Sequence, residues 1–483
     1  MQIEGGNVTF DTKITGGTTV FPTDTSKVDI LINGEQIAGL VQPDEEIQAE
    51  TTIDAKGQLV LPGIVDPHVH VADYNTIDTY ETASAAAALG GVTSFVNFAW
   101  QAWVSENSDW DEPGTLLEAI DRHHNKDDHT YIDYGLHAVI TREESETLEE
   151  LTAVQEAGVT SIKLFTTYES GVSYGFLDEA FEAIADEGLV VAVHTEDDTV
   201  CQRRTDRTIR ANDSDPKLYP DARPDYAEAI AAGAAARLAE EHDVKYYGVH
   251  TTSRAAVEEL SEYVNNSNVR AETCTHYTAV DEGLYAELGA LPILAPPLRK
   301  PDDIDAIFEH LAKGTLSIVS TDHVATTKAQ KTETPWWDGP FGANSLQTSL
   351  PVFHDVAVNE RGHSYPFLAR VMSDNPARTF GMPQKGRIAP GMDADLVLFD
   401  PTETYTISAN ENASKADFSI YDGREVTGKV KKTFVRGTLV ADEGEIVASP
   451  GHGQYLDRDI PTWRDDLDTP PTATHQSVYR RER

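Results

Sequence analysis

Between Ile64 and about Asn344 the chain repeats one rhythm eight times: a short apolar run, then an amphipathic helical stretch. LVLPGIVDPHVH leads to an Ala-rich helix expected over Tyr80 to Leu89, VTSFVNF to TLLEAIDRHHN, YIDYGLHAV to ETLEELTAVQEAG, and SIKLF to LDEAFEAIADEG. The pattern continues with LVVAVH and DYAEAIAAGAAARLAEEH, KYYGVH and RAAVEELSEYV, VRAETC and PDDIDAIFEHLAKG, then SIVSTDH and the helices after Asn344. Strands alternating with helices demand a parallel sheet, and eight such units predict an α/β fold of the closed (β/α)8, TIM-barrel type. An open doubly wound sheet would carry a GxGxxG turn after its first strand, and none is present. Both chain ends have a different texture, short strands broken by turns. The economical arrangement is a small β-sandwich built from residues 1–62 and 386–456, flanking a barrel over 63–385. The polar, Pro-containing stretch 457–483 is expected to be a tail, or an arm laid on a neighbouring subunit.

Composition narrows the partners. An apolar content of 40% with 25% charged residues is globular. The net charge of −43, from 81 acidic against 38 basic side chains, repels nucleic acid and anionic membranes. The acid excess is spread along the chain, the pattern expected of a halophile's protein working in screening salt. Cys201 and Cys274 provide no disulfide framework, the first residues do not read as a signal peptide, and no apolar run approaches 18 residues. A soluble cytoplasmic protein is expected.

Barrel enzymes carry their chemistry at the C-terminal ends of the strands. Here strand one ends in Asp66-Pro67-His68-Val69-His70, strand five in His194, strand six in His250 and strand eight in Asp322-His323. His68 and His70 are two apart on a strand and so face the same side. A single strand-end histidine is ordinarily a hydrogen-bonded core residue, but four with one aspartate on a single rim form a ligand set suited to zinc or a similar divalent ion. Lys163 of SIKLF faces inward at the same level. It is either a lysine snorkelling to the rim or, carbamylated by CO2, an anionic ligand able to bridge two metals.

The motifs LPGIVDPHVH, SIKLFTTY, VVAVHTED, GVHTTS, STDH and NPARTFG followed by KGRIAPGMDADLVLFDP, in that order over roughly residues 55 to 440, resemble the cyclic amidohydrolases of the amidohydrolase superfamily. AAALGGVTSFVNFAWQ, YIDYGLH and APPLR are most similar to the hydantoinase/dihydropyrimidinase group. The resemblance implies a binuclear-metal barrel with a flanking β-sandwich, in a homotetramer or dimer. His68, His70 and Asp322 would hold the more buried ion, His194 and His250 the second, and carbamylated Lys163 both; zinc is expected, with manganese an alternative.

It also implies that Tyr168 donates to the developing oxyanion, that Ala295 and Asn344 hold the substrate amide through backbone groups, and that Asp322 shuttles the proton. The family usually has Ser at the position of Ala295, and a backbone contact survives that change. The activity implied is hydrolytic opening of a hydantoin or dihydropyrimidine ring by metal-activated water. Dihydroorotase is the nearest rival, but it normally has Arg where this chain has Ala72. Allantoinase comes next, and a non-enzymatic scaffold is disfavoured because all six ligands and Tyr168 are present.

Overall fold

Eight strands are wound into a ring in a computed structural model that describes residues 9–463, apart from 44, 106, 107, 109, 128 and 265–267. They are β1 Ile64–His70, β2 Val92–Trp100, β3 Asp133–Val139, β4 Ser161–Phe165, β5 Val190–His194, β6 Lys245–Gly248, β7 Val269–Cys274 and β8 Ile318–Ser320. Each pairs in parallel with the next. Closure depends on a break in the eighth strand. Ile318–Ser320 pairs with β7, whereas His323–Val324, beyond Thr321 and Asp322, pairs with β1 at Val69 and His70. The chain therefore forms the TIM-type barrel expected from its alternating pattern.

Strands β2 to β5 are buried along their whole length, as parallel strands with both faces covered must be. The surrounding helices start where the sequence supplies caps. Thr115 and Glu118 form a capping box for Leu116–His124, and Pro301 opens a helix that ends at left-handed Gly314. One helix escapes the periodicity reading. Asp198–Ala211 buries only Cys201, so it has no apolar stripe to announce it.

The chain ends form a separate β domain. A four-stranded sheet is wholly N-terminal, spanning residues 10–54. A seven-stranded sheet mixes both ends: Leu59–Pro62 pairs with Leu396–Thr406, which pairs with Glu425–Val435. Ile14, Ile30, Ile32 and Ile37 of the first sheet pack against Val60, Leu396, Leu398 and Phe434 of the second, the aligned core of a sandwich. The segment from Asp457 to Trp463 runs across the barrel's floor in the same chain, where Trp463 packs with Val65, Val96, Ala192 and Phe380. Residues 464–483, the rest of the expected tail or arm, lie outside the described residues. No helix among the described residues is long and apolar enough to cross a membrane.

Barrel and sandwich are joined by a buried ionic node. The Lys385 ammonium lies 2.5 Å from Asp133 of β3, 2.8 Å from Asp395 and 2.9 Å from Asp393, and Arg436 also pairs with Asp133. Removing the ammonium leaves buried Asp395 and its neighbour Asp393 without their counter-charge, so Lys385→Met should destabilise the fold by about 3–5 kcal/mol. A fall in apparent melting temperature larger than that of an exposed lysine variant such as Lys313→Met is the expected result.

Candidate active site

The C-terminal ends of the strands surround a cavity of about 720 Å³. His68, His70, Lys163, His194, His250 and Asp322 all line it, together with Tyr168 and Ala295. Asn344 does not. It is buried between Ala343, bridged to His323, and Ser345, whose N–H donates to His323.

The tightest cluster is on the seam of the ring. One Asp322 oxygen lies 3.1 Å from His68 Nε2 and 3.3 Å from His70 Nε2, and the three ligand atoms fall within a single ion's reach. His194 and His250 stand beside them, with ring centroids 4.4 Å apart, and His250 is 5.3 Å from His68. The Lys163 ammonium projects from β4 between the Phe98 and Phe165 rings, 5.2 and 4.8 Å from their centroids. Asp322, His250 and Tyr168 each hold a left-handed backbone, φ 45°, 37° and 71°, a strained conformation for such residues.

Local hydrogen bonds fix these positions. Asp66 accepts from the His68 and Thr321 amides, tying β1 to the break before Asp322. Asn97 of β2 exchanges hydrogen bonds of 2.8 and 2.9 Å with the Val71 backbone, clamping the turn after His70.

Two buried carboxylates set the histidine tautomers, and the sequence reading did not single them out. Glu272 of β7 lies 2.5 Å from His68 Nδ1 and also accepts from the Tyr247 hydroxyl and the His250 amide. Glu196 lies 2.9 Å from His194 Nε2. A carboxylate accepts, so His68 presents Nε2 and His194 presents Nδ1 as the lone pair, the arrangement typical of metal-binding imidazoles. Arg223 in turn grips Glu196 with contacts of 2.6 and 3.0 Å and stacks 4.9 Å over the Tyr168 ring. Glu196, two residues after His194, and Glu272, an acid inside an otherwise uncharged strand end, were the available signals.

The electrostatics suit a cation. Burial opposes a charged His68, yet Asp322 and Glu272 outweigh it and raise its pKa to about 9. Against its own burial, Asp322 is held well below the carboxylate range by His68 and His70. Burial lowers Lys163 to about 7 and His194 to about 4, leaving a reactive amine and a neutral ligand nitrogen. The donor set of imidazoles and carboxylate therefore fits divalent metal, with Glu272 and Glu196 already orienting two of the imidazoles from behind.

The match to known proteins agrees with this geometry. The amidohydrolase family profile matches residues 59–440, and the chain belongs to that family: it is a hydrolase of amide carbon–nitrogen bonds. It is 33% identical over 468 residues to a D-hydantoinase of Streptomyces coelicolor, covering 92% of this chain and 98% of that protein. It is 32% identical to a D-hydantoinase of Geobacillus stearothermophilus, with 92% and 96% covered. The crystal structure of dihydropyrimidinase from Brevibacillus agri superposes with a TM-score of 0.87 at 30% identity, over 93% of this chain and 99% of that one.

Glu272→Gln keeps the shape but removes the charge behind His68. Metal affinity, measured by competition with a chelator, should fall about 10–100-fold with the fold intact.

Proposed function

We propose that this protein opens the ring of a cyclic amide or ureide, a hydantoin or a dihydropyrimidine, by metal-dependent hydrolysis. The observation that carries the reading is the convergence of four histidines, Asp322 and Lys163 on one cavity whose histidines are backed by Glu272 and Glu196. Similarity to hydantoinases along nearly the whole chain supports it.

His68, His70 and Asp322 would hold one divalent ion and His194 and His250 another. Zinc suits these donors and manganese is a second choice. Lys163 would span both as its carbamate: the amine nitrogen bonds to the carbon of CO2, a proton leaves, and an anionic two-oxygen ligand results. When bound, the ions supply the Lewis acidity that makes water nucleophilic near neutral pH and polarises the carbonyl.

The chain's own groups do the rest. Asp322, beside both histidines, accepts the proton of the attacking water and passes it to the leaving ring nitrogen. Burial keeps Tyr168 protonated, with its pKa well above the usual value, so its hydroxyl donates to the carbonyl oxygen as charge develops there. Ala295, on the cavity wall, would hold the amide through its backbone, while Asn344 would act only through the backbone at its buried position. Tyr74, Trp100, Trp103 and Phe165 give the substituent side of the cavity an aromatic wall.

Among the described lining residues Lys163 is the sole lysine or arginine, and Glu169 and Asp338 add negative charge at the rim. Ala72, at the position where a carboxylate-binding arginine would be expected, does not line the cavity. A ring carboxylate is therefore unwelcome. Assayed with hydantoin, dihydrouracil, dihydroorotate and allantoin, the zinc or manganese protein should favour one of the first two in kcat/KM. Preference for dihydroorotate would overturn this assignment.

The carbamate is tested by Lys163→Ala, which should lose metal and activity and regain part of both with a short carboxylic acid. Tyr168→Phe should keep its metal and lose about 10²–10³ in kcat, the usual cost of one oxyanion donor. A change confined to KM would make Tyr168 a wall residue.

The acid excess supports a halophile's cytoplasmic protein, and the likeness to hydantoinases supports a homotetramer or dimer. Melting temperature should rise steeply between about 0.1 and 1 M salt, as the Debye length falls from roughly 10 to 3 Å. A flat profile would remove the halophile reading.

A further inference from the structure

The barrel's floor is plugged by an arginine that reaches toward the metal-site histidines through a polar chain. Arg458 belongs to the C-terminal strap, whose Leu456 amide donates to the Tyr134 carbonyl and whose Asp459 amide donates to Gly381. Four glycines make room for this strap. A Cβ on Gly135 would come within 3.2 Å of Arg458 Nε, on Gly158 within 2.6 Å of Asp457, on Gly381 within 1.7 Å of the Asp459 carbonyl, and on Gly453 within 1.9 Å of the Ile132 carbonyl. The side chain enters the ring and is only 4% exposed.

Inside, Arg458 Nη2 donates to the Leu136 carbonyl and, at 2.9 Å, to Ser161 Oγ. Ser161 Oγ lies 2.6 Å from His137 Nδ1, and His137 Nε2 lies 2.8 Å from the carbonyl of Pro67, the residue before His68. The direction of the chain is fixed. The Pro67 carbonyl can only accept, so His137 carries its proton on Nε2 and Nδ1 accepts from the Ser161 hydroxyl, whose oxygen accepts from Arg458. The His137 ring also stacks on Phe98 at 4.7 Å, and Phe98 stacks on His70 at 4.7 Å. Both histidines of the pair are thus supported from below, His68 through its preceding peptide and His70 through a ring column.

We propose that Arg458 is a positioning residue which, acting through Ser161 and His137, holds the Pro67–His70 end of β1 in its metal-binding geometry. The strap thereby becomes part of the active site without touching substrate. A guanidinium is a costly group to bury, and Arg458 Nε and Nη1 have no hydrogen-bond partner among the described residues. Packing alone would be served by an apolar side chain. What the guanidinium adds is a charged donor at the head of a chain whose members polarise one another. The inference rests on His68 and His70 being metal ligands.

The test uses Arg458→Met, Ser161→Ala, their double variant and Arg458→Lys, each checked for folding by circular dichroism and melting. Zinc affinity is read by chelator competition, independently of any substrate. Each of the first two should bind zinc about tenfold more weakly. The double should be no worse than the weaker single, because one chain is broken once or twice. Arg458→Lys, which keeps a charged N–H for Ser161, should recover most of the affinity. Full zinc affinity in folded Arg458→Met and Ser161→Ala, or losses that multiply in the double, would overturn the proposal. If Arg458→Met fails to fold, Ser161→Ala decides, since it deletes one hydroxyl and leaves the strap seated. A wild-type protein without zinc affinity would overturn the ligand reading itself.

Discussion

Asp322 holds one carboxylate oxygen against two imidazoles at once in a pocket where water hardly reaches it, and the surrounding structure is organised to make that concentration of charge tolerable. Taking ionised groups out of water costs several kcal/mol each unless opposite charges surround them. Here charges alternate outward from the centre. Behind His68 stands Glu272, behind His194 stands Glu196, and behind Glu196 stands Arg223, itself faced by the rings of Tyr168 and Phe341. Glu196 is neutralised by Arg223 outside it, and Glu272 is held by the Tyr247 hydroxyl and the His250 amide. The Asp322 and Glu272 charges do not offset the burial of Lys163, which leaves its amine reactive.

The barrel supplies the geometry this scheme needs. Its eighth strand is interrupted at Thr321 and Asp322, so the ring closes through the residue that holds the histidine pair. A regular strand would send the Asp322 side chain along the strand's own alternation. The left-handed turn at Asp322 instead lets it meet two histidines on β1, and Asp66 pins both sides of the seam. Strain at Asp322, His250 and Tyr168 is sustained because the neighbouring strands leave these residues no alternative.

How much of this was legible depended on whether the information was periodic or pairwise. The eight strand-helix units, the two β-rich ends and the strand-end histidines follow from patterns that repeat at fixed spacing, and they can be read residue by residue. Helix Asp198–Ala211 could not be, because it lies on the surface with one buried side chain. Glu272 is 204 residues from His68, and nothing in VRAETC says which histidine that acid will face. Arg223 sits in a turn ahead of a helix, where an arginine is ordinarily solvent-exposed. Asn344 illustrates the opposite limit: motif spacing assigns it to the substrate, whereas its burial beside His323 follows from no periodicity. Polar networks of this kind are written in pairs far apart along the chain, which composition and periodicity do not encode.

The seven-stranded sheet has a consequence for how the protein comes into being. Its strand Leu59–Pro62 pairs with Thr18–Val20 on one side but finds its other partner in Leu396–Thr406, more than three hundred residues later. In a chain made from its amino terminus, the local four-stranded sheet over residues 10–54 can form early. Leu59–Pro62, four residues buried in the finished fold, must wait with an unpaired edge while the whole barrel is synthesised. Contacts of such long sequence separation are slow to form and leave apolar edges open to other chains meanwhile. The dense negative charge spread along the chain is then as useful to the nascent polypeptide as to the finished enzyme, because neighbouring unfinished chains repel one another before their edges can pair.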